Sequence, residues 1–125
     1  IVEKETGLAA ERPEVAGVFV RRLKKGMRLQ TDPTIIYGLG NTFDGNLRRV
    51  HLRTDGPYNS YTRHGLPPTP IAIVGREALH AAAHPAPGKA LYFVATGDGG
   101  HVFSNTLNEH ERNVDRYQRR RRSQP

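Results

Sequence analysis

The chain has no cysteine, which excludes disulfides and thiolate metal sites but leaves the redox compartment open. It has no apolar run near the roughly 20 residues that span a bilayer, and its start lacks the charged, apolar and small-residue succession of a secretory signal. Nor is there an initiator Met; the sequence begins on apolar residues that read as part of a helix. It is therefore expected to be the carboxyl-terminal part of a longer protein, with any targeting segment lying ahead of it. At 125 residues it has the size of one domain with a single core, and no internal repeat is visible.

Several common chemistries are also missing. His80 and His84 stand four apart on a predicted helix, and His101 and His110 follow. No carboxylate accompanies them in a His-Glu-x-x-His pattern, so they read as surface residues and no metal is expected. Ser60, Ser104 and Ser123 have no nucleophile-elbow context. The Gly-rich stretches "GLGNTFDGN" and "TGDGGH" join no strand to a helix with phosphate-loop spacing and read as turns.

Negative charge is scarce too, giving a formal charge of +7. A nucleic-acid or membrane-surface partner would fit that number, but its distribution argues otherwise. From Arg112 onward the balance is +5, leaving +2 for residues 1–111. The excess belongs to "RYQRRRRSQP", which reads as a solvated, frayed end, with contact to anionic lipid or polymer as the alternative. Residues 118–125 are accordingly expected to be a basic, disordered tail, and no nucleic-acid partner is expected.

What is present reads as α+β, mostly helical, with one small antiparallel hairpin and long loops. A first helix is expected through about Ala10. In "ERPEVAGVFVRRLKKGM", Pro13 and Glu14 suit a helix start, Lys24 and Lys25 its negative end, and Gly26 the stop. Val15, Phe19 and Leu23, beside Ala16 and Val20, form its apolar stripe. "TDPTIIYG" predicts a short helix with Asp32 as N-cap and Pro33 at its first position. Residues 39–73 are rich in Gly, Pro, Asn and Asp, and only "LRRVHL" suggests an extended segment. A loop region of that length is expected to line a site. "GREALHAAAHP" predicts a helix ending before Pro85, "ALYFVAT", "GDGG" and "HVFS" a hairpin, and "TLNEHERNVDRYQ" a closing helix.

Against this background Glu5 is out of place. At about 100° per residue, Ile1, Val2, Leu8 and Ala9 share one face, with Glu5 in its centre and Glu3 opposite. A carboxylate there must be paired, for example with Arg12, or must carry a raised proton affinity suited to a general acid. Gln30, Asp32, Tyr37, Tyr58, Asn59 and Tyr61 mix flat rings with amides and a carboxylate, the mixture a sugar-binding cleft uses. Capping, turn formation and core edges would explain the same residues singly.

Taken together, "IVEKET", "ERPEVAGVFVRRLKKGMRLQTDPTIIYG", "PYNSYTRHGLPPTPI" and "YFVATGDGGHVFSNTLNEH" resemble the YceG-like endolytic murein transglycosylases over nearly the whole chain. The resemblance implies a catalytic domain over residues 1–117 that cuts peptidoglycan glycan strands internally. In this family the catalytic acid is the second glutamate of Glu-Lys-Glu, here Glu5, and the motif positions on Glu11, Gln30, Asp32, Tyr37, Asn59 and Tyr61 are by the same resemblance expected to be substrate-binding residues of the cleft. It further implies cleavage between N-acetylmuramic acid and N-acetylglucosamine with an anhydro product, and no metal or other cofactor. Cell-wall synthases are the implied partners. The implied location is the periplasmic side of the bacterial inner membrane, with the tethering helix and a LysM-like domain in segments ahead of this one. Val74, where the family usually has Pro, and Thr69, where Gly is common, depart from the pattern. A glycan-binding module that retains the cleft without cleaving is the rival expectation.

Overall fold

The computed structural model describes residues 1–119. It is α+β: six α-helices and a two-stranded antiparallel sheet, in the order α1 (Val2–Glu5), α2 (Arg12–Lys24), α3 (Asp32–Leu39), α4 (Arg49–Arg53), α5 (Arg76–Ala83), β1 (Tyr92–Ala95), β2 (His101–Ser104) and α6 (Leu107–Val114). Single 3₁₀ turns cover Ala9–Glu11 and Gly40–Thr42, and a wide π turn, Asp115–Arg119, continues α6. Among the described residues no helix is long and apolar enough to cross a membrane.

Helix α2 is the centre of the molecule. Val15, Ala16, Val18 and Phe19 are buried along it, and Val15, Ala16 and Phe19 join Val2, Leu29 and Ala78 in one core cluster. Its end follows from Gly26: at φ +71° that residue adopts the left-handed turn glycine allows. Its N–H then reaches the Leu23 carbonyl at 3.2 Å and that of Met27 the Arg22 carbonyl at 2.9 Å, the pair of bonds that satisfies orphan carbonyls at a helix end. Gly17 has a different reason. A Cβ there would lie 2.6 Å from the Ala86 carbonyl oxygen, so its absence lets the segment after α5 pass directly over α2. The hairpin pairs Tyr92 with Ser104 and Phe93 with Phe103, and Phe93 packs edge-on against Phe19 at 5.7 Å between ring centroids.

Four expectations need correction. The first helix ends at Glu5 rather than near Ala10, because Thr6 turns extended. The Thr6 hydroxyl accepts the Leu8 N–H and donates to Glu11, a local alternative to helical bonding that Thr readily offers. Thr31, not Asp32, precedes the first turn of α3, which frees the Asp32 carboxylate. "LRRVHL" forms helix α4 instead of an extended segment. The Arg48 N–H bonds His51 Nδ1 at 3.0 Å at its start, and the Asn59 amide donates to the carbonyls of His51, Leu52 and Thr54 around its end. Finally, the closing segment loses α-helical pitch after Val114 and continues as the π turn. Of the expected tail, Gln118 donates its amide to the Ala95 carbonyl at 2.8 Å, and residues 120–125 lie outside the described residues.

Candidate active site

Val2 is 9% exposed and anchors α1 in the core. Glu5, three residues on and thus on the same side of the helix, emerges half-buried at the core's edge. It opens into a cleft of about 800 Å³ whose walls include Arg22, Gln30, Asp32, Tyr61, Tyr92 and His101. Arg49 and Leu52 of α4 border it, as do Leu107, His110 and Glu111 of α6.

Glu5 has no ion pair with Arg12, whose guanidinium donates instead to the Gly7 carbonyl. Its partner is the Thr31 hydroxyl, which donates to Oε1. That hydroxyl belongs to a fixed frame. The Thr31 N–H donates to Ser60 Oγ at 3.0 Å, Thr34 Oγ1 donates to the Thr31 carbonyl at 2.7 Å, and Thr34 and Ser60 share a hydroxyl bond at 2.7 Å. All three residues are buried, and among the described residues the Glu5 carboxyl takes its side-chain hydrogen bond on Oε1. Burial raises the proton affinity of Glu5 and the Asp32 charge adds to this; the Thr31 bond and His101 oppose them without reversing the shift. A carboxyl held above its ordinary range is suited to give a proton near neutral pH.

Asp32 accepts a 2.6 Å bond from the Tyr61 hydroxyl. Burial, and then that carboxylate, push the Tyr61 hydroxyl well above the ordinary phenol range, so it stays a donor. Gln30 sits at φ +51°, a conformation few non-glycine residues adopt. It is held there by its N–H on the Ser60 carbonyl at 3.2 Å and by Arg22 on its Oε1 at 3.4 Å. Arg22, only 7% exposed, also donates to the carbonyls of Leu91 and Arg28, and its guanidinium lies 4.9 Å from the Tyr92 ring centroid.

Of the residues singled out from sequence, Glu5, Gln30, Asp32 and Tyr61 share the cleft wall. Glu11 lies behind it, accepting from the ring and the backbone of His101. Asn59 is buried and serves α4 and its own turn, accepting the N–H groups of Tyr61 and Thr62. Tyr37 is 45% exposed and packs against Tyr58, 5.0 Å between centroids, away from the Glu5 cleft. Glu3, on the opposite face of α1, is half-buried beside Gly75. Sequence reasoning missed Thr31, Arg22 and the cleft position of His101. The position of His101 directly after a Gly-rich hairpin turn was the one available signal. Among the described residues no group of three His, Asp or Glu side chains is placed to hold a metal ion.

Fold and site together describe a small α+β domain with a half-buried carboxyl of raised proton affinity in an open polar and aromatic cleft. The YceG-like family model matches residues 1–116, and the chain belongs to that family. It is 44% identical over 117 residues to the endolytic murein transglycosylase of Bacillus subtilis (strain 168), a match covering 94% of this chain and 32% of that protein. With the endolytic murein transglycosylase of Streptococcus pneumoniae serotype 2 it shares 34% identity over 119 residues, covering 91% of this chain and 22% of the other. The crystal structure of a yceG-like protein from Listeria monocytogenes is similar at a TM-score of 0.80 and 42% identity, over 89% of this chain and 35% of that one. The chain thus spans about a third or less of the length of these relatives.

Proposed function

We propose that residues 1–117 are the catalytic domain of an endolytic lytic transglycosylase that cleaves the β-1,4 bond between N-acetylmuramic acid and N-acetylglucosamine in peptidoglycan. The observation that carries this reading is Glu5: a half-buried carboxyl with raised proton affinity, one oxygen held by Thr31, in a cleft large enough for sugar rings. The protonated Glu5 gives its proton to the glycosidic oxygen as the bond from that oxygen to the anomeric carbon breaks. The 2-acetamido oxygen of the substrate supports the positive charge at that carbon. Glu5, now a carboxylate, takes the proton of the C6 hydroxyl as O6 bonds to the anomeric carbon, so a 1,6-anhydro end forms and no water is consumed. This is a one-carboxylate departure from ordinary glycosidases, which use two. Peptidoglycan strands are the substrate in this reading, cell-wall synthases the partners, and the periplasmic face of the inner membrane the place of action, through an anchor outside this chain.

The test is digestion of purified sacculi by wild type, Glu5→Gln and Glu3→Gln, with mass spectrometry of the products. Glu5→Gln should lose several orders of magnitude in cleavage, since each general acid or base transfer contributes roughly 10²–10⁴-fold, while Glu3→Gln stays close to wild type. The Gln variant should also be at least as stable at neutral pH. Glu5 binds its proton more tightly folded than unfolded, so its ionisation costs native stability as pH rises through that window, and Gln removes the cost. Anhydro ends at wild-type rates from Glu5→Gln, or hydrolysed reducing ends from wild type, would overturn the mechanism. Glycan binding by wild type without cleavage would favour a non-catalytic binding module.

A further inference from the structure

His101, the first residue of β2, is held more tightly than strand pairing requires. One Glu11 oxygen accepts its ring Nδ1 at 2.8 Å, and the other accepts its backbone N–H at 2.7 Å. A single carboxylate thereby clasps both ends of the same residue and sets its side-chain torsion. The Thr6 hydroxyl donates to the same Glu11 oxygen that meets the ring, at 3.3 Å. Phe93 meets the imidazole edge-to-face at 5.3 Å and 85°. The two side chains are 11% and 15% exposed, so the pair is nearly dry. Burial disfavours the Glu11 charge, but the bonds from His101 and Thr6 outweigh it and hold the carboxyl below the usual range. Glu11 is therefore an acceptor at neutral pH, and the nitrogen facing it carries the proton. Nε2 is the ring nitrogen that Glu11 does not engage, and His101 shares the cleft wall with Glu5.

We propose that His101 is a second substrate-contacting catalytic residue, oriented by Glu11 so that Nε2 hydrogen-bonds a hydroxyl of the sugar ring seated against Glu5. A hydroxyl is the fitting partner because it both gives and accepts a hydrogen bond, and so matches either protonation state of the ring. Glu11 is then a positioning residue that acts through His101 and touches no substrate. Glu11 from the 3₁₀ turn pairs with the imidazole, and Glu5 from α1 lies within electrostatic reach of it. This inference rests on the glycan-cleaving reading of the same cleft.

Two measurements test it. In ¹⁵N-labelled protein carrying Glu5→Gln to slow turnover, a soluble murein glycan fragment should move the His101 Nε2 resonance at saturation and leave Nδ1 nearly unchanged. For kinetics, His101→Asn keeps an amide donor for Glu11 but has no atom at Nε2. Its kcat/KM should fall roughly tenfold or more in the folded protein, beyond any loss of melting temperature from the missing Phe93 contact. Glu11→Gln should lower kcat/KM in the same direction, because the ring loses its charged anchor. A purely structural Glu11–His101 pair would cost melting temperature and leave Nε2 unmoved by glycan. An Nε2 resonance indifferent to saturating glycan, or wild-type kcat/KM in a folded His101→Asn, would overturn the proposal while leaving Glu5 as the acid. A wild-type protein that neither binds nor cleaves glycan would overturn both readings.

Discussion

Arg22→Met tests whether one guanidinium holds two walls of the cleft together. Met keeps most of the aliphatic stem and removes the charged head. In the native protein that head donates to the Leu91 carbonyl at 2.6 Å, just before β1, and to the Arg28 carbonyl at 2.9 Å, between α2 and α3. Its bonds to the Leu29 carbonyl and the Gln30 side chain are longer, 3.4 Å each, and weaker. Bonds from a charged donor contribute about 1.5–3 kcal/mol each, so the two short ones together are worth roughly 3–6 kcal/mol. Against this stands the relief of no longer burying a charge, which is large enough to make some buried ion pairs replaceable. Replacement works when the partners are exchanged as well; here they are main-chain carbonyls and stay behind unpaired. A net loss of about 3–4 kcal/mol follows. With an unfolding entropy of about 2.1 cal/mol/K per residue, the chain should melt roughly 10–15 °C lower. Arg22→Lys should recover little of this, because an ammonium cannot span both carbonyls from one position. Thermal and urea unfolding read the magnitude. A loss under about 1 kcal/mol, or a Lys variant as stable as wild type, would show that the carbonyls find other donors and that Arg22 is no strut.

Thr31→Val should lower cleavage and move the alkaline limb of the kcat/KM profile to higher pH. The lost bond favours the ionised carboxyl, so without it Glu5 keeps its proton longer; Thr31→Ser should restore the profile, and a limb displaced to lower pH would contradict the assignment. Gly17→Ala should destabilise by about 1–3 kcal/mol in urea unfolding, because the new Cβ would lie 2.6 Å from the Ala86 carbonyl oxygen; a neutral result would mean that the segment after α5 yields freely. Asn59→Ala should cost about 2–3 kcal/mol by leaving partly buried carbonyls and N–H groups unpaired, with faster amide exchange concentrated in α4; uniform exchange across the chain would argue against its local role.

Periodic and local signals were legible in the sequence alone. The 3.6-residue stripe of α2 and its stop at Gly26, the Gly-rich hairpin turn, the α+β class and the anomalous Glu5 all depend on residues a few positions apart, where helical and strand geometry link spacing directly to direction. Even Glu5 was legible only as a misfit, because periodicity says that a carboxyl meets an apolar environment and not what accompanies it. The partner is Thr31, 26 residues away, held in turn by Ser60, 29 residues further on. Glu11 and His101 are 90 residues apart. No spacing rule links such pairs; Glu11 and His101 meet because Phe93 packs on Phe19 and carries the hairpin against α2. The same holds for the errors. "LRRVHL" suits either period over so few residues, and what made it a helix is Asn59 collecting the carbonyls of His51 and Leu52 within it and of Thr54 just beyond it. Asp32 reads as an N-cap by residue type, yet Thr31 takes that place and the carboxylate turns to Tyr61. Local chemistry therefore determined the elements and the odd carboxyl, while tertiary packing alone decided which side chains surround that carboxyl, because burial and hydrogen-bond partners are properties of the assembled core.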